Sequence, residues 1–363
     1  MVVEDSAVIR RLLAHIIAAD PRLELAAAVE SAEEALLLIP RLRPDVVSMD
    51  VRLPGMDGLE ATRRIMARFP TPIVVIADAV EDASLRISMN ALRSGALAVL
   101  EKPRGTLSRG FETSAARIAT QLAIMSEVPV IRLRDRTPTS GPLSPNGQDV
   151  ASLPARGRSV LAIAASTGGP PALAKVLGAL PPGFSLPVLL VQHMGASFME
   201  GFAHWLDGVI PLAARVARDG DVPEPGTVLV APGSRHLTLR RLADDRFCCR
   251  LSDDVPVNGQ RPSATVLFNS VADAAGPAGV GVLLTGMGED GATGLVAMRR
   301  AGAYTITEHE STAVVYGMPA AAVAQGGSCA SLPLDAVAQR LLRLAGQDDR
   351  PDTDGPPGEG ARA

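Results

Sequence analysis

Runs of consecutive apolar residues alternate with stretches whose apolar positions return every third or fourth residue, from the first residues to about position 124. The runs fall at 2–3, 25–29, 46–49, 73–76 and 98–100. Between them lies helical spacing such as Ile9, Leu12, Leu13, Ile16 and Ile17, which puts one stripe on a buried face. Continuous apolar strands separated by amphipathic helices predict a parallel sheet covered on both faces. The pattern stops at 125–158, where five prolines, three glycines and scattered arginines leave too little apolar surface to offset chain entropy. It resumes from 159 to about 345, with strands predicted at 160–164, 188–192, 228–231, 280–285 and 304–307. An antiparallel hairpin is predicted from 236–239 and 247–251. The expected fold is therefore α/β: two doubly wound parallel-sheet domains, 1–124 and 159–345, a flexible linker at 125–158, and a disordered acidic tail at 346–363.

Composition narrows the function classes. Hydrophobic residues at 47% exclude wholesale disorder, and aromatics at 3% predict cores of Ala, Val, Leu and Ile. A net charge of −4 supplies no basic footprint, so no nucleic-acid partner is expected. No apolar run approaches a membrane span and no signal peptide opens the chain, which predicts a cytoplasmic protein without membrane insertion. The three cysteines, two of them adjacent (Cys248 and Cys249), form no disulfide framework, and no Cys or His pair has zinc spacing.

Open α/β sheets bind ligands beyond the carboxyl ends of their strands. In the first domain Glu4 and Asp5 follow the first strand, Asp50 follows the third, and Lys102 follows the fifth. Three carboxylates suit Mg²⁺, and the lysine can pair with a phosphoryl group as a point charge. An alternative for Asp50 is a simple turn initiator. Residues 1–124 resemble the receiver domain of two-component response regulators, through Glu4-Asp5-Ser6, Asp50 within 48–58, and Lys102-Pro103. The resemblance implies a flavodoxin-like fold and a histidine kinase partner that phosphorylates Asp50. It also implies Mg²⁺ held by Glu4, Asp5, Asp50 and the backbone carbonyl of Arg52. Two positions depart from the family: Ala77 replaces a hydroxyl residue and Val99 replaces an aromatic. Both normally couple phosphorylation to surface rearrangement, so phosphorylation of Asp50 is expected to act more weakly on the second domain. Only three residues precede Glu4, which predicts either an upstream start or a marginal first strand.

In the second domain a strand ends on Ser166, and Thr167-Gly168-Gly169-Pro170 opens a helix. Locally this favours Ser166 as a helix N-cap. Its partners argue for a nucleophile instead: His193 and Asp290 also lie just past predicted strand ends. An imidazole can take the serine proton, and a carboxylate can orient that imidazole. The order Ser–His–Asp and the missing G-x-S-x-G turn argue against an α/β-hydrolase esterase. Residues 159–343 resemble the catalytic domain of chemotaxis response regulator protein-glutamate methylesterases. The further motifs are 231–236, Arg261-Pro262-Ser263 and 315–319. The resemblance implies hydrolysis of γ-glutamyl methyl esters on methyl-accepting chemoreceptors with release of methanol, deamidation of receptor glutamines, and no cofactor for the hydrolysis. On this chain it makes Ser166 the nucleophile, His193 the general base and acid, and Asp290 the orienting carboxylate. Thr167 and the backbone near Met287 would stand beside the oxyanion.

His236 reads either as a cleft residue or as a loop hydrogen-bonding group. Trp205 and His204 read as packing, His309 and Glu289 as surface. Two rival functions remain at this stage: a phosphorylation-dependent binding protein with a vestigial hydrolase domain, and the same esterase acting on receptors outside chemotaxis.

Overall fold

The computed structural model describes residues 1–78, 90–92, 94–103, 111–128 and 157–347. Most of the expected linker and tail lies outside these residues. Where their ends are described, the boundaries move. The helix Phe111–Ser126 continues two residues past the expected domain end at 124. At the other terminus Gly346 and Gln347 are held rather than loose: the Gln347 side chain accepts from Ser185 N at 3.0 Å and donates to the Gly183 carbonyl at 2.8 Å.

The first domain is a five-stranded sheet in the order β2-β1-β3-β4-β5, formed by Val2–Val3 (β1), Ala28–Val29 (β2), Val47–Met49 (β3), Ile73–Ala77 (β4) and Ala98–Glu101 (β5). All pairs are parallel. The period of two divides its strand residues between two packed faces. Val3, Val47, Met49 and Val75 face one side. Val2, Val74, Ile76 and Leu100 meet Leu13, Ile17, Ile118 and Leu122 on the other. Helix starts follow the capping chemistry of the sequence: Ser6, Ser31 and Asp57 each accept an amide hydrogen three residues on.

The second domain is a seven-stranded parallel sheet in the order β14-β13-β12-β6-β7-β9-β8. Its strands are Val160–Ala165 (β6), Val188–Gln192 (β7), Ala213–Val216 (β8), Thr227–Val230 (β9), Gly279–Leu283 (β12), Tyr304–Glu308 (β13) and Ala330–Leu332 (β14). The predicted hairpin forms as His236–Arg241 (β10) against Phe247–Ser252 (β11), antiparallel. Two edge strands, β8 and β14, were not predicted. Both are short and partly exposed, so neither carries an apolar run. One face of the sheet packs Ile163, Leu190 and Val282 against Leu173, Phe202 and Leu341. The other packs Ala162, Ala164 and Val191 against Phe268, Leu267 and Leu295.

This order decides what can meet. The chain enters at β6 in the middle of the sheet, grows to one side through β7, and later returns to the other side at β12. The strands that precede His193 and Asp290 therefore flank the strand that ends at Ser166.

Candidate active site and phosphoacceptor pocket

β1 and β3 are neighbours, so Glu4 and Asp50 emerge side by side. Both are buried while Asp5 is exposed, and one oxygen from each of the three lies within 4.8 Å of the others. Lys102, just past β5, places Nζ 2.8 Å from Asp50 Oδ2 and donates to Glu4 Oε1 at 3.0 Å. Burial, helped by the charge of Asp50, pushes the Glu4 carboxyl up to about 7. Burial also raises Asp50, against the hydrogen bond and charge of Lys102. Burial opposes the Lys102 ammonium, yet Asp50 and Glu4 together lift it above its usual value. One ammonium thus faces two buried carboxylates. Although Lys102 Nζ approaches both Glu4 oxygens at 3.0 Å, Oε2 accepts no hydrogen bond among the described residues. An all-oxygen donor set with an unmet buried oxygen fits a hard divalent cation such as Mg²⁺. The Arg52 amide donates to Asp50 Oδ1 at 3.3 Å, which turns that backbone over the carboxylate. Ala77 ends β4 as a buried methyl.

In the second domain Ser166 does not cap the helix that follows. The N-cap of Gly169–Gly178 is Gly168, whose φ of 75° belongs to the left-handed region that glycine enters without strain. The Ser166 backbone is pinned instead: its amide donates to the Thr285 carbonyl at 2.9 Å, and its carbonyl accepts from Gln192 Nε2 at 2.8 Å. Gly286 lies so close that an added Cβ would stand 2.7 Å from Ser166 Cβ. Among the described residues the Ser166 hydroxyl makes no hydrogen bond and is left for chemistry.

His193 and Asp290 meet: Nε2 of the imidazole lies 2.9 Å from Asp290 Oδ2, and both side chains are nearly buried. Asp290 is held by the start of the helix Ala264–Ala275. Its Oδ1 accepts from Ser263 Oγ at 2.7 Å and Thr265 N at 3.1 Å, and Oδ2 also accepts from Ala264 N at 2.7 Å. Burial disfavours the carboxylate, but the His193 contact and these donors outweigh it and pull the carboxyl down to about 2. An ionised Asp290 can only accept, so Nε2 of His193 donates to it. The other ring nitrogen, Nδ1, is buried and has no hydrogen-bond partner among the described residues.

Ser166, Thr167, His193 and Met287 line one cavity of about 440 Å³. Met287 is 44% exposed, and Thr167 is buried. Among the described residues neither Thr167 nor Met287 donates its backbone N–H in a hydrogen bond. The far wall of the cavity belongs to the first domain, through Val99, Thr113, Arg117 and Gln121. Gln121 and Thr167 exchange hydrogen bonds through Gln121 Nε2 at 3.1 Å and Oε1 at 3.3 Å. Val314 and Val315 pack against the receiver cluster beside them.

The sequence assigned no role to three contributors, although Ser263 falls in the Arg261-Pro262-Ser263 motif. Gln192 ends β7 next to His193 and anchors the nucleophile turn. Ser263 and the two amides after it hold Asp290. Gln121 reaches the site from the other domain. Ser263 had a local signal, as an N-cap candidate ahead of an apolar helix; Gln121 had none, because its partner is 46 residues away. His236 lies outside the cavity, fully buried, and takes the loop hydrogen-bonding role.

Comparison with known proteins agrees with this geometry. Residues 161–341 match the CheB methylesterase family and residues 1–108 match the response regulator receiver domain. A protein-glutamate methylesterase/protein-glutamine glutaminase of Paramagnetospirillum magneticum is 51% identical over 95% of this chain and 97% of its own length. One from Anaeromyxobacter dehalogenans is 46% identical over 94% of this chain and 97% of its own length. The Thermotoga maritima CheB methylesterase catalytic domain superposes with a TM-score of 0.50, at 32% identity, over 52% of this chain and 98% of that domain. The chain belongs to the family of CheB methylesterases that carry an N-terminal response regulator receiver domain.

Proposed function

We propose that this protein hydrolyses γ-glutamyl methyl esters of methyl-accepting chemoreceptors in the cytoplasm, and deamidates receptor glutamines by the same route. We assign catalysis to 159–345, phosphoryl control to 1–124 and the tether to 125–158. The observation that carries this reading is the His193–Asp290 pair at the rim where Ser166 ends its strand.

The ionised Asp290 holds the Nε2 hydrogen and leaves Nδ1 as the base. His193 Nδ1 takes the Ser166 proton as Oγ attacks the ester carbonyl. The backbone N–H groups of Thr167 and Met287 receive the oxyanion. The imidazolium, stabilised by Asp290, returns its proton to the departing methoxide, and methanol leaves. Water, deprotonated by the same nitrogen, then releases the glutamate and restores Ser166. With a glutamine substrate the leaving group is ammonia. Methylesterase variants of Ser166→Ala or His193→Ala should release methanol at least ~10³-fold more slowly, because the pair acts as a unit. Release above a tenth of the normal rate from Ser166→Ala would refute the nucleophile.

A histidine kinase is the phosphoryl source for Asp50. Glu4, Asp5, Asp50 and the Arg52 carbonyl would hold Mg²⁺, which when bound neutralises charge on the transferring phosphoryl group. Lys102 would then exchange its Asp50 contact for a phosphoryl oxygen. In the docked arrangement the receiver covers the mouth above Ser166, so release of Gln121 from Thr167 accompanies opening. Removing that pair by Gln121→Ala should raise the unphosphorylated rate severalfold, since one such bond contributes about 0.5–1.5 kcal/mol. Assays of methanol release without a phosphoryl donor check this. Ala77 offers no hydroxyl to a phosphoryl oxygen, so Ala77→Thr should enlarge the ratio of donor-activated to basal rate.

Asp290 titrates below its ordinary value of 3.8, at about 2. A depressed carboxylate adds stability that is complete above its unfolded value and is lost as pH falls through its folded value. The pH-dependent deficit of Asp290→Asn should therefore be constant near neutrality, on the order of 2 kcal/mol, and shrink from pH 4 towards pH 2. Urea midpoints across that range measure it, and a deficit that grows on acidification would contradict the assignment.

A further inference from the structure

His236 opens β10 and is 0% exposed, yet both ring nitrogens are engaged by groups of fixed polarity. Nδ1 lies 3.1 Å from the Ser263 amide, which can only donate. Nε2 lies 3.2 Å from the Val255 carbonyl, which can only accept. The ring is therefore neutral, with its hydrogen on Nε2. Any other protonation state would bury a hydrogen against a hydrogen.

The Nδ1 partner is the first residue of the Asp290 cradle. Ser263 caps the helix Ala264–Ala275 by accepting from Val266 N, and it donates to Asp290 Oδ1 at 2.7 Å. Ala264 and Thr265, the next two residues, supply the remaining amides. Three of the four donors on Asp290 thus come from one short segment, and His236 fixes the start of that segment. On its other side His236 holds Val255, which is 79% exposed on a loop whose Gly259 and Gln260 line the cavity over Ser166. One buried ring ties the cradle of the orienting carboxylate to a wall of the substrate cavity.

We propose that His236 is a positioning residue for the esterase reaction, resting on the Ser166–His193–Asp290 assignment. Its two nitrogens have separable tasks. Nδ1 keeps the Ser263–Thr265 segment in register, so that Asp290 stays aligned on His193 as the imidazolium forms; its loss acts on the transition state. Nε2 fixes the Val255 loop, so its loss acts on substrate binding.

Side-chain amides replace one nitrogen each. In His236→Asn an oxygen stands where Nδ1 was, with nothing at the Nε2 position. In His236→Gln the amide reaches the Nε2 position and the Nδ1 acceptor is gone. Steady-state methanol release by the full chain with a phosphoryl donor should show kcat of His236→Gln reduced about tenfold with KM within twofold. His236→Asn should keep kcat within about threefold and raise KM. Combining His236→Gln with Ser263→Ala should cost less than the product of the single losses, because both act on the placement of Asp290. Thermal unfolding of each variant is followed in parallel. If His236→Gln does not fold, His236→Asn decides: a loss of kcat beyond threefold at unchanged KM would overturn the inference. The inference is overturned if His236→Gln keeps kcat within twofold, or if the two amides lose kcat equally at equal stability. Ser166→Ala serves as the reference: were it active, the nucleophile assignment would fail first, whereas an inactive Ser166→Ala beside an unimpaired His236→Gln would sink this inference alone.

Discussion

A buried carboxylate is tolerable only where donors replace the water it loses, and Asp290 has four of them within 3.1 Å. Three come from the opening turn of one helix, where exposed amides and the helix dipole already favour negative charge. The fourth is His193. Because the helix end is anchored by its own cap and by His236, the carboxylate cannot follow the imidazole; the imidazole must come to it. That fixes the ring's orientation and leaves Nδ1 turned away from the carboxylate.

The two domains solve opposite electrostatic problems on the same architecture. Each places its polar groups past the carboxyl ends of adjacent parallel strands. In the esterase domain negative charge is fully compensated and held low, which suits a permanent orienting role. In the receiver, Glu4 and Asp50 share one lysine and burial drives both upward. That pocket holds two buried carboxylates against one ammonium, a balance that suits the cation and phosphoryl group proposed for it.

The domains touch where their functions meet. β5 carries Val99 into the cavity above Ser166 and delivers Lys102, three residues on, to Asp50. Asp50 and the cavity over Ser166 are thus linked through one short strand and the Gln121–Thr167 contact.

Much of this was legible because it is local. Central parallel strands are apolar on both faces, so β6, β7, β9, β12 and β13 announced themselves, and strand ends marked Ser166, His193 and Asp290. The edge strands β8 and β14 did not, since half-exposed residues have no distinctive run. The sequence by itself determined which side chains are the candidates for chemistry: a hydroxyl, an imidazole and several carboxylates that follow strands. Only the tertiary structure decided which of them are paired, which nitrogen of His193 is free, that His236 braces Ser263, and that Gln121 closes over Thr167. Those choices rest on contacts between segments tens of residues apart, and hydrogen-bond direction and burial exist only once strand order has brought such segments together.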